Sequence, residues 1–291
     1  MVRLHLALHI STPSRLKGNQ VFANLIVVTK KIKKREQPKT HTLRDLLIVS
    51  VLISTGPIFT LLFNLPPLIG GFFLTVPASL YMMLTKPKHL FKILIAVLIL
   101  GLVFGAVFDF FATLGKAWDV TRLVIPIRIL GVEPIDNILG YGLMTLLIVS
   151  FYEHFIHHDR NNKISKNLRL AIVPPVLALL AIFFLYPVSQ LGFYTKYTYL
   201  FGGLAALIFP VYICIKKPSH IIKYVEVGVF FSFVWFFSEI AALKTNGWVF
   251  LGEYIGQVNA FGVVFPLEEF IFWMLLYAGA LVAYYEFYIE E

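Results

Sequence analysis

Eight apolar runs bounded by charges or Pro/Gly turns dominate this chain, each roughly as long as a tilted helix needs to cross a bilayer. They cover about residues 46–63, 67–84, 92–112, 136–155, 169–187, 197–215, 221–243 and 264–286. Of the 291 residues, 58% are hydrophobic and 14% charged, whereas about a quarter of a soluble domain is charged. One globular core cannot hide that much apolar surface, so a soluble fold is excluded. An all-α membrane protein of about eight transmembrane helices is expected. The single cysteine, Cys214, excludes an intrachain disulfide and any cysteine-rich metal site.

The net charge of +9 is concentrated in alternate gaps between these runs. Lys30, Lys31, Lys33, Lys34 and Arg35 precede the first run, and Lys86, Lys88 and Lys92 follow the second. Arg160, Lys163, Lys166 and Arg169 follow the fourth, and Lys216, Lys217 and Lys223 the sixth. Basic residues collect on the cytoplasmic side of membrane proteins. Both termini are therefore expected in the cytoplasm, and the charge is read as topology rather than as a nucleic-acid surface. Residues 1–43, with a Thr/Lys/Gln-rich stretch and a short apolar piece from Val21 to Val28, carry no clear signal-peptide cleavage pattern. They are expected to form a basic mobile arm.

The chain also repeats itself. Lys86-Pro87-Lys88-His89-Leu90-Phe91-Lys92 and Lys217-Pro218-Ser219-His220-Ile221-Ile222-Lys223 share a K-P-x-H-x-x-K frame. Asp109 and Trp118 recur at the same spacing as Glu239 and Trp248. Gly131-Val132-Glu133-Pro134-Ile135-Asp136-Asn137 answers the segment from Gly262 to Glu268 and Glu269, and Tyr152 answers Tyr284. Residues 44–160 and 161–291 are therefore expected to be two four-helix repeats. An even number of spans keeps them parallel, related by a pseudo-two-fold axis along the membrane normal.

That topology gathers acids at one membrane face. Asp109 and Glu239 fall near the outer ends of the third and seventh runs, while Asp136, Glu268 and Glu269 open the fourth and eighth. Phe261, Val263, Val264 and Phe265 precede the last pair, and Phe270, Ile271, Phe272 and Trp273 follow it. Ionised carboxylates are costly in such surroundings. Glu268 and Glu269 are expected to hold one proton between them, a neutral acid beside an ionised partner, as acid–base chemistry requires. Pro266-Leu267-Glu268-Glu269 is also an ordinary way to begin a helix, because proline needs no donor there and the helix dipole favours acids. Recurrence of the motif in the other half, the acid ending the preceding helix in both halves, and aromatic residues three and four positions beyond the glutamates favour the chemical reading. Phe272 and Trp273 share helix faces with the glutamates and can shield a developing cation. Trp118 and Trp248 also suit an interfacial belt.

From Gly247-Trp248-Val249-Phe250 through Phe261-Gly262 to Pro266-Leu267-Glu268-Glu269-Phe270-Ile271-Phe272-Trp273, the sequence resembles the lycopene cyclase domain of the membrane-integral, flavin-free type. That family carries a Gly-x-Trp element followed by Pro-x-Glu-Glu and an aromatic helix, and its domain occurs twice. The resemblance covers both halves, closely in the second and more loosely in the first. It implies an isomerase that cyclises the open ψ-ends of lycopene or a related acyclic carotenoid by protonation and deprotonation, with no net redox change. The family's paired acids fall on Glu268 and Glu269 and on Asp136, with Asn137 standing where a second acid is expected. Together with the acids read from the repeat, the expected acid–base residues are Glu268, Glu269, Asp136, Glu239 and Asp109. Asn137, Phe270, Phe272, Trp273, Trp118 and Trp248 are expected to line the substrate. No metal and no cofactor is expected, since GxGxxG and P-loop motifs are missing, and Gly140-Tyr141-Gly142 is read as helix packing. The expected partners are the carotenoid, the lipid bilayer of a cell membrane and other enzymes acting on carotenoids.

Two other classes compete with this reading. His154-Phe155-Ile156-His157-His158 reads as an HxxHH box of a membrane di-iron hydroxylase or desaturase, with His89 and His220 on the same side. The remaining histidine boxes of such enzymes are missing, and Glu153-His154 equally suits the polar exit of a helix. A non-catalytic carotenoid or lipid binder is the other alternative, and Asn137 is the residue that favours it. A polyprenyl transferase would need paired Asp-rich diphosphate motifs, which the sequence lacks.

Overall fold

The computed structural model describes residues 40–85, 89–157, 163–189 and 196–290. Most of the arm expected at 1–43 lies outside them, as do Lys86, Lys88, His158 and Arg160. The chain divides into a unit of residues 1–44 and a compact unit of 45–291. The two sequence repeats do not separate into units of their own.

Eight helices among the described residues are long and apolar enough to cross a membrane, giving an all-helical, multi-pass architecture. They are α1 (Thr40–Phe63), α2 (Pro67–Thr85), α3 (Leu90–Leu114) and α4 (Ile135–Ile156). α5 starts as tight turns at Lys166–Ile172 and continues over Val173–Ser189. α6 (Thr198–Lys216), α7 (Ile221–Lys244) and α8 (Glu269–Tyr288) complete the bundle. Each coincides with one expected apolar run. α1 starts six residues before the expected 46, and at α8 residues 263–266 are extended instead of helical. Pro266 fixes its own φ and disfavours helical geometry at the residue before it, so the helix starts only after it.

Large apolar side chains such as Val51, Leu62, Phe183 and Phe233 point outward, each more than 60% exposed, as lipid-facing positions require. Inward, Phe231, Trp235, Tyr152 and Tyr285 are fully buried. α3 and α4 meet backbone to backbone: a Cβ on Gly101 would come within 2.8 Å of the Cα of Gly142. Small residues permit this close approach, which drives helix association where no hydrophobic effect operates.

Short antiparallel ribbons cap the end of the bundle where α3 and α7 finish. β1 (Asp119–Val120) pairs with β4 (Trp248–Val249), joining the loop after α3 to the loop after α7. β2 (Arg128–Ile129) pairs with β3 (Glu133–Pro134), and β5 (Gln257–Ala260) with β6 (Val263–Pro266). Both hairpins turn on two residues of positive φ, Leu130-Gly131 at 52° and 73° and Phe261-Gly262 at 52° and 79°. Between β5 and β6 this is a two-residue turn that matches the twist of paired strands, whereas between β2 and β3 Val132 adds a third loop residue; glycine adopts the left-handed geometry without steric cost.

At the opposite end the helices exchange hydrogen bonds reciprocally. Tyr152 of α4 donates to Glu286 of α8, and Tyr285 of α8 donates to Glu153 of α4 at 2.5 Å. The residue that answers Tyr152 in this exchange is Tyr285, one position beyond Tyr284.

Candidate functional site: buried acids beside an apolar cavity

Asp109 lies near the end of α3 and Glu239 near the end of α7, each 1% exposed or less. The indole of Trp118 donates to Asp109 at 2.7 Å, and that of Trp248 donates to Glu239 at 2.8 Å. Pairing of β1 with β4 holds both tryptophans over the end of the bundle, with their N–H groups on the acids. They serve there as hydrogen-bond donors, a more specific role than interfacial anchoring.

Asp109 also accepts from the Asn137 amide at 2.5 Å and, more weakly, from the Tyr141 hydroxyl at 3.4 Å. Its fourth partner is Glu133 on β3. Glu133 is 1% exposed; burial, and then the neighbouring Asp109 charge, push its carboxyl up to about 11. It therefore keeps its proton near neutral pH and gives it to Asp109 as a hydrogen bond. Four donors thus converge on the one buried Asp109 carboxyl group.

On the other side, the carboxyl groups of Glu269 and Glu239 face each other within hydrogen-bonding reach, an approach that two carboxyl groups make favourably only when they hold a proton between them. Tyr199, 5% exposed at the start of α6, donates its hydroxyl hydrogen to the second oxygen pair member, Glu269 Oε2. The acid next to it in sequence behaves differently. Glu268 Oε1 accepts from the backbone N–H of Ile255 at 2.7 Å, and Oε2 has no hydrogen-bond partner among the described residues. Asp136 likewise accepts from the backbone of Val124 and Ile125 at 2.6 and 2.9 Å. These two acids tie the loops to the helix starts, while Glu269 meets its carboxyl partner across the helix interface.

Two cavities border this acid cluster. The larger, about 520 Å³, lies among α3, α5, α6 and α8 and is walled by Phe108, Gly203, Phe272 and Tyr284 among others. The smaller, about 120 Å³, is lined by Asp109, Asp136, Asn137, Glu269 and Trp248. Trp118, Tyr141, Tyr199 and Trp273 line both. Of the expected substrate-lining residues, Asn137, Trp118, Trp248, Phe272 and Trp273 thus border a cavity, whereas Phe270 packs on the hydrophobic core.

Glu133, Tyr141 and Tyr199 belong to the site without having been singled out from sequence. Glu133 stands beside Pro134 in the repeated segment, but its counterparts there, Val264 and Phe265, are apolar. Tyr199 lies at the mouth of a hydrophobic run with no acid near it in sequence.

At the other end, the HxxHH segment does not converge on one point. His154 contacts Asp45 at 3.3 Å, whereas His157 contacts Glu153 at 3.0 Å. Glu153, His157 and Glu290 are close enough to hold a metal ion. However, Lys92 donates to both oxygens of Glu290 at 2.7 and 2.8 Å, and Tyr285 donates to Glu153. The donor set fits a buried ion-pair network better than two irons. In comparisons with known proteins, no family model, curated sequence or solved structure matches the chain.

Proposed function

We propose that the protein is a carotenoid end-group cyclase of a cell membrane, closing the ψ-ends of lycopene or a related acyclic carotenoid into rings. The observation that carries the reading is the pair of buried acids, Glu239 and Glu269, facing each other beside an apolar cavity; in this reading they hold one proton between them. In this reading Glu269 protonates the terminal double bond and leaves a tertiary cation. The neighbouring double bond attacks that cation and closes a six-membered ring. A ring proton is then lost, restoring a double bond with no net redox change. Trp118, Tyr141 and Trp273 border the junction and present aromatic faces to a cation, an interaction that strengthens away from water. Asp109, with its ring of donors, adds a second buried acid nearby.

The size and lining of the larger cavity suit an apolar end group with part of its polyene, the rest of which can remain in the bilayer and arrive laterally between helices. Asn137 occupies the position of a second acid in the first half, and its amide donates to Asp109. The two halves are thereby unequal, with a proton-sharing acid pair of helix residues only at Glu239 and Glu269.

Residues 44–160 and 161–291 form, in this reading, parallel repeats about an axis along the membrane normal, with both termini cytoplasmic. Three observations support the repeat: the reciprocal exchange of Tyr152 and Tyr285, the matching tryptophan-to-acid bonds, and the matching pair of positive-φ residues at each hairpin tip. The test is expression in a lycopene-accumulating bacterium followed by chromatography of the pigments. Cyclic carotenoids are expected from the wild type and none from Glu269→Gln. Wild-type protein that co-purifies with acyclic pigment but leaves its ends unchanged would identify a carrier instead.

A further inference from the structure

We infer that Tyr199 is the base that ends ring closure, and that its position selects which ring double bond forms; the inference rests on the cyclase reading and adds a residue to it. Of the hydroxyls lining the larger cavity, Tyr199 is the one bonded to the Glu239 and Glu269 pair. It also borders the smaller cavity, so its ring spans the junction between them. Trp118 packs edge-on against that ring at 4.8 Å, and Phe272 lies at 6.3 Å from it. Both neighbours fix where the oxygen sits. Glu269 lines the smaller cavity and Tyr199 lines both, so an end group at the junction meets Glu269 as the acid and Tyr199 as the group that can return a proton to it.

The hydrogen bond has the direction that a base needs. A hydroxyl that gives its hydrogen to Glu269 keeps its lone pairs for a second partner. Once Glu269 has protonated the substrate it is a carboxylate. A C–H bond of the cyclised cation then breaks, and its electron pair becomes the ring double bond. The released proton bonds to the Tyr199 oxygen while the original tyrosine hydrogen moves to Glu269. Tyrosine ends unchanged, Glu269 ends protonated, and no other reactant is consumed. Which C–H bond breaks depends on which hydrogen lies nearest the Tyr199 oxygen, so this side chain governs the β or ε outcome.

The experiment compares wild type, Tyr199→Phe and Tyr199→3-fluorotyrosine in lycopene-loaded membranes, measuring ring formation and the double-bond position by chromatography and NMR. Tyr199→Phe is expected to lower the rate about 100-fold, the scale of general-base catalysis, and to yield a changed mixture of ring isomers or water-capture products. A lost packing contact would lower the rate without changing the mixture, and that outcome overturns the inference, as does full wild-type activity. If Tyr199→Phe forms no ring, 3-fluorotyrosine decides, because it keeps the shape and changes the acidity of the phenol. An altered rate or mixture supports the relay, and an unaltered one overturns it. Wild-type protein that forms no ring overturns the cyclase reading itself and this inference with it, whereas an active wild type with an indifferent Tyr199 overturns the relay alone.

Discussion

The carboxyl groups of Glu239 on α7 and Glu269 on α8 face each other in the bundle interior, the two residues being 1% and 6% exposed. Trp248 secures one partner and Tyr199 the other. These neutral donors hold the pair in place, and the proposed chemistry needs one mobile proton between its oxygens. Replacing either acid with glutamine keeps the shape and a hydrogen bond but removes that mobility. Glu269→Gln and Glu239→Gln should each reduce ring formation by about 100-fold or more, with the protein still inserted in membranes. Glu268→Gln supplies the contrast: its carboxylate clamps the Ile255 N–H, so the variant should lose thermal stability more than activity per folded molecule. Activity assays normalised to detergent-extracted folded protein separate the two effects.

Much of this arrangement was legible in the sequence, and the part that was not has a physical reason. Apolar run lengths located all eight helices, because the bilayer sets that length. The spacing of Asp109 to Trp118 and of Glu239 to Trp248 also identified two acids that turned out to bear indole donors. Sequence adjacency suggested that Glu268 and Glu269 work as a pair. Side chains one position apart on a helix diverge by about 100°, however, so the two face different partners, the loop at Ile255 and the neighbouring helix at Glu239. Tyr199 was not legible because its partner is 70 residues away in sequence, and only helix packing brings them together.

Glu133 offers a test by pH. Burial and the Asp109 charge raise its carboxyl to about 11 in the folded protein, from an ordinary value of 4.5. A group raised in this way contributes stability that is complete below its unfolded value and is lost as pH rises toward the folded one. Thermal midpoints of the detergent-solubilised protein should therefore fall between about pH 6 and 9. Glu133→Gln keeps a donor toward Asp109 but cannot ionise, so its midpoint should vary less over that range. Glu133→Ala removes the donor and should lower the midpoint at every pH. Equal slopes for wild type and Glu133→Gln would show that another group controls the effect.

The network at the opposite end makes a second pH prediction. Burial disfavours the His157 imidazolium, but the hydrogen bond and charge of Glu153, with Glu290 adding to them, raise its pKa above the usual 6.5. The corresponding stability is present below that ordinary value and is lost as pH rises through the higher folded one. His157→Gln should flatten this part of the profile. Lys92 and Glu290 can be tested by a double-mutant cycle. Lys92→Met leaves a buried carboxylate without its ammonium partner and should cost about 3 kcal/mol, and Lys92→Met with Glu290→Gln should recover most of that loss. No recovery would mean that Lys92 stabilises the fold chiefly through other contacts.

Gly203 tests the cavity without touching any proton-bearing group. It lies on α6 against Phe272, and a Cβ there would sit only 2.4 Å from a ring carbon. Real side chains do not approach so closely, so in Gly203→Ala the ring must move. Both residues line the larger cavity, and displacement of the ring is expected to reshape the volume where the end group sits. Substrate fit should suffer first: a higher carotenoid concentration for half-maximal rate is expected, and because Phe272 also packs beside Tyr199, the mixture of ring isomers should shift with it. Gly262→Ala, at the positive-φ hairpin tip far from either cavity wall, should instead lower stability by about 1 kcal/mol and leave the concentration dependence as it is. If Gly203→Ala bound and cyclised the pigment as wild type does, the end group would have to sit outside the larger cavity, and the smaller acid-lined cavity would become the place to look for it.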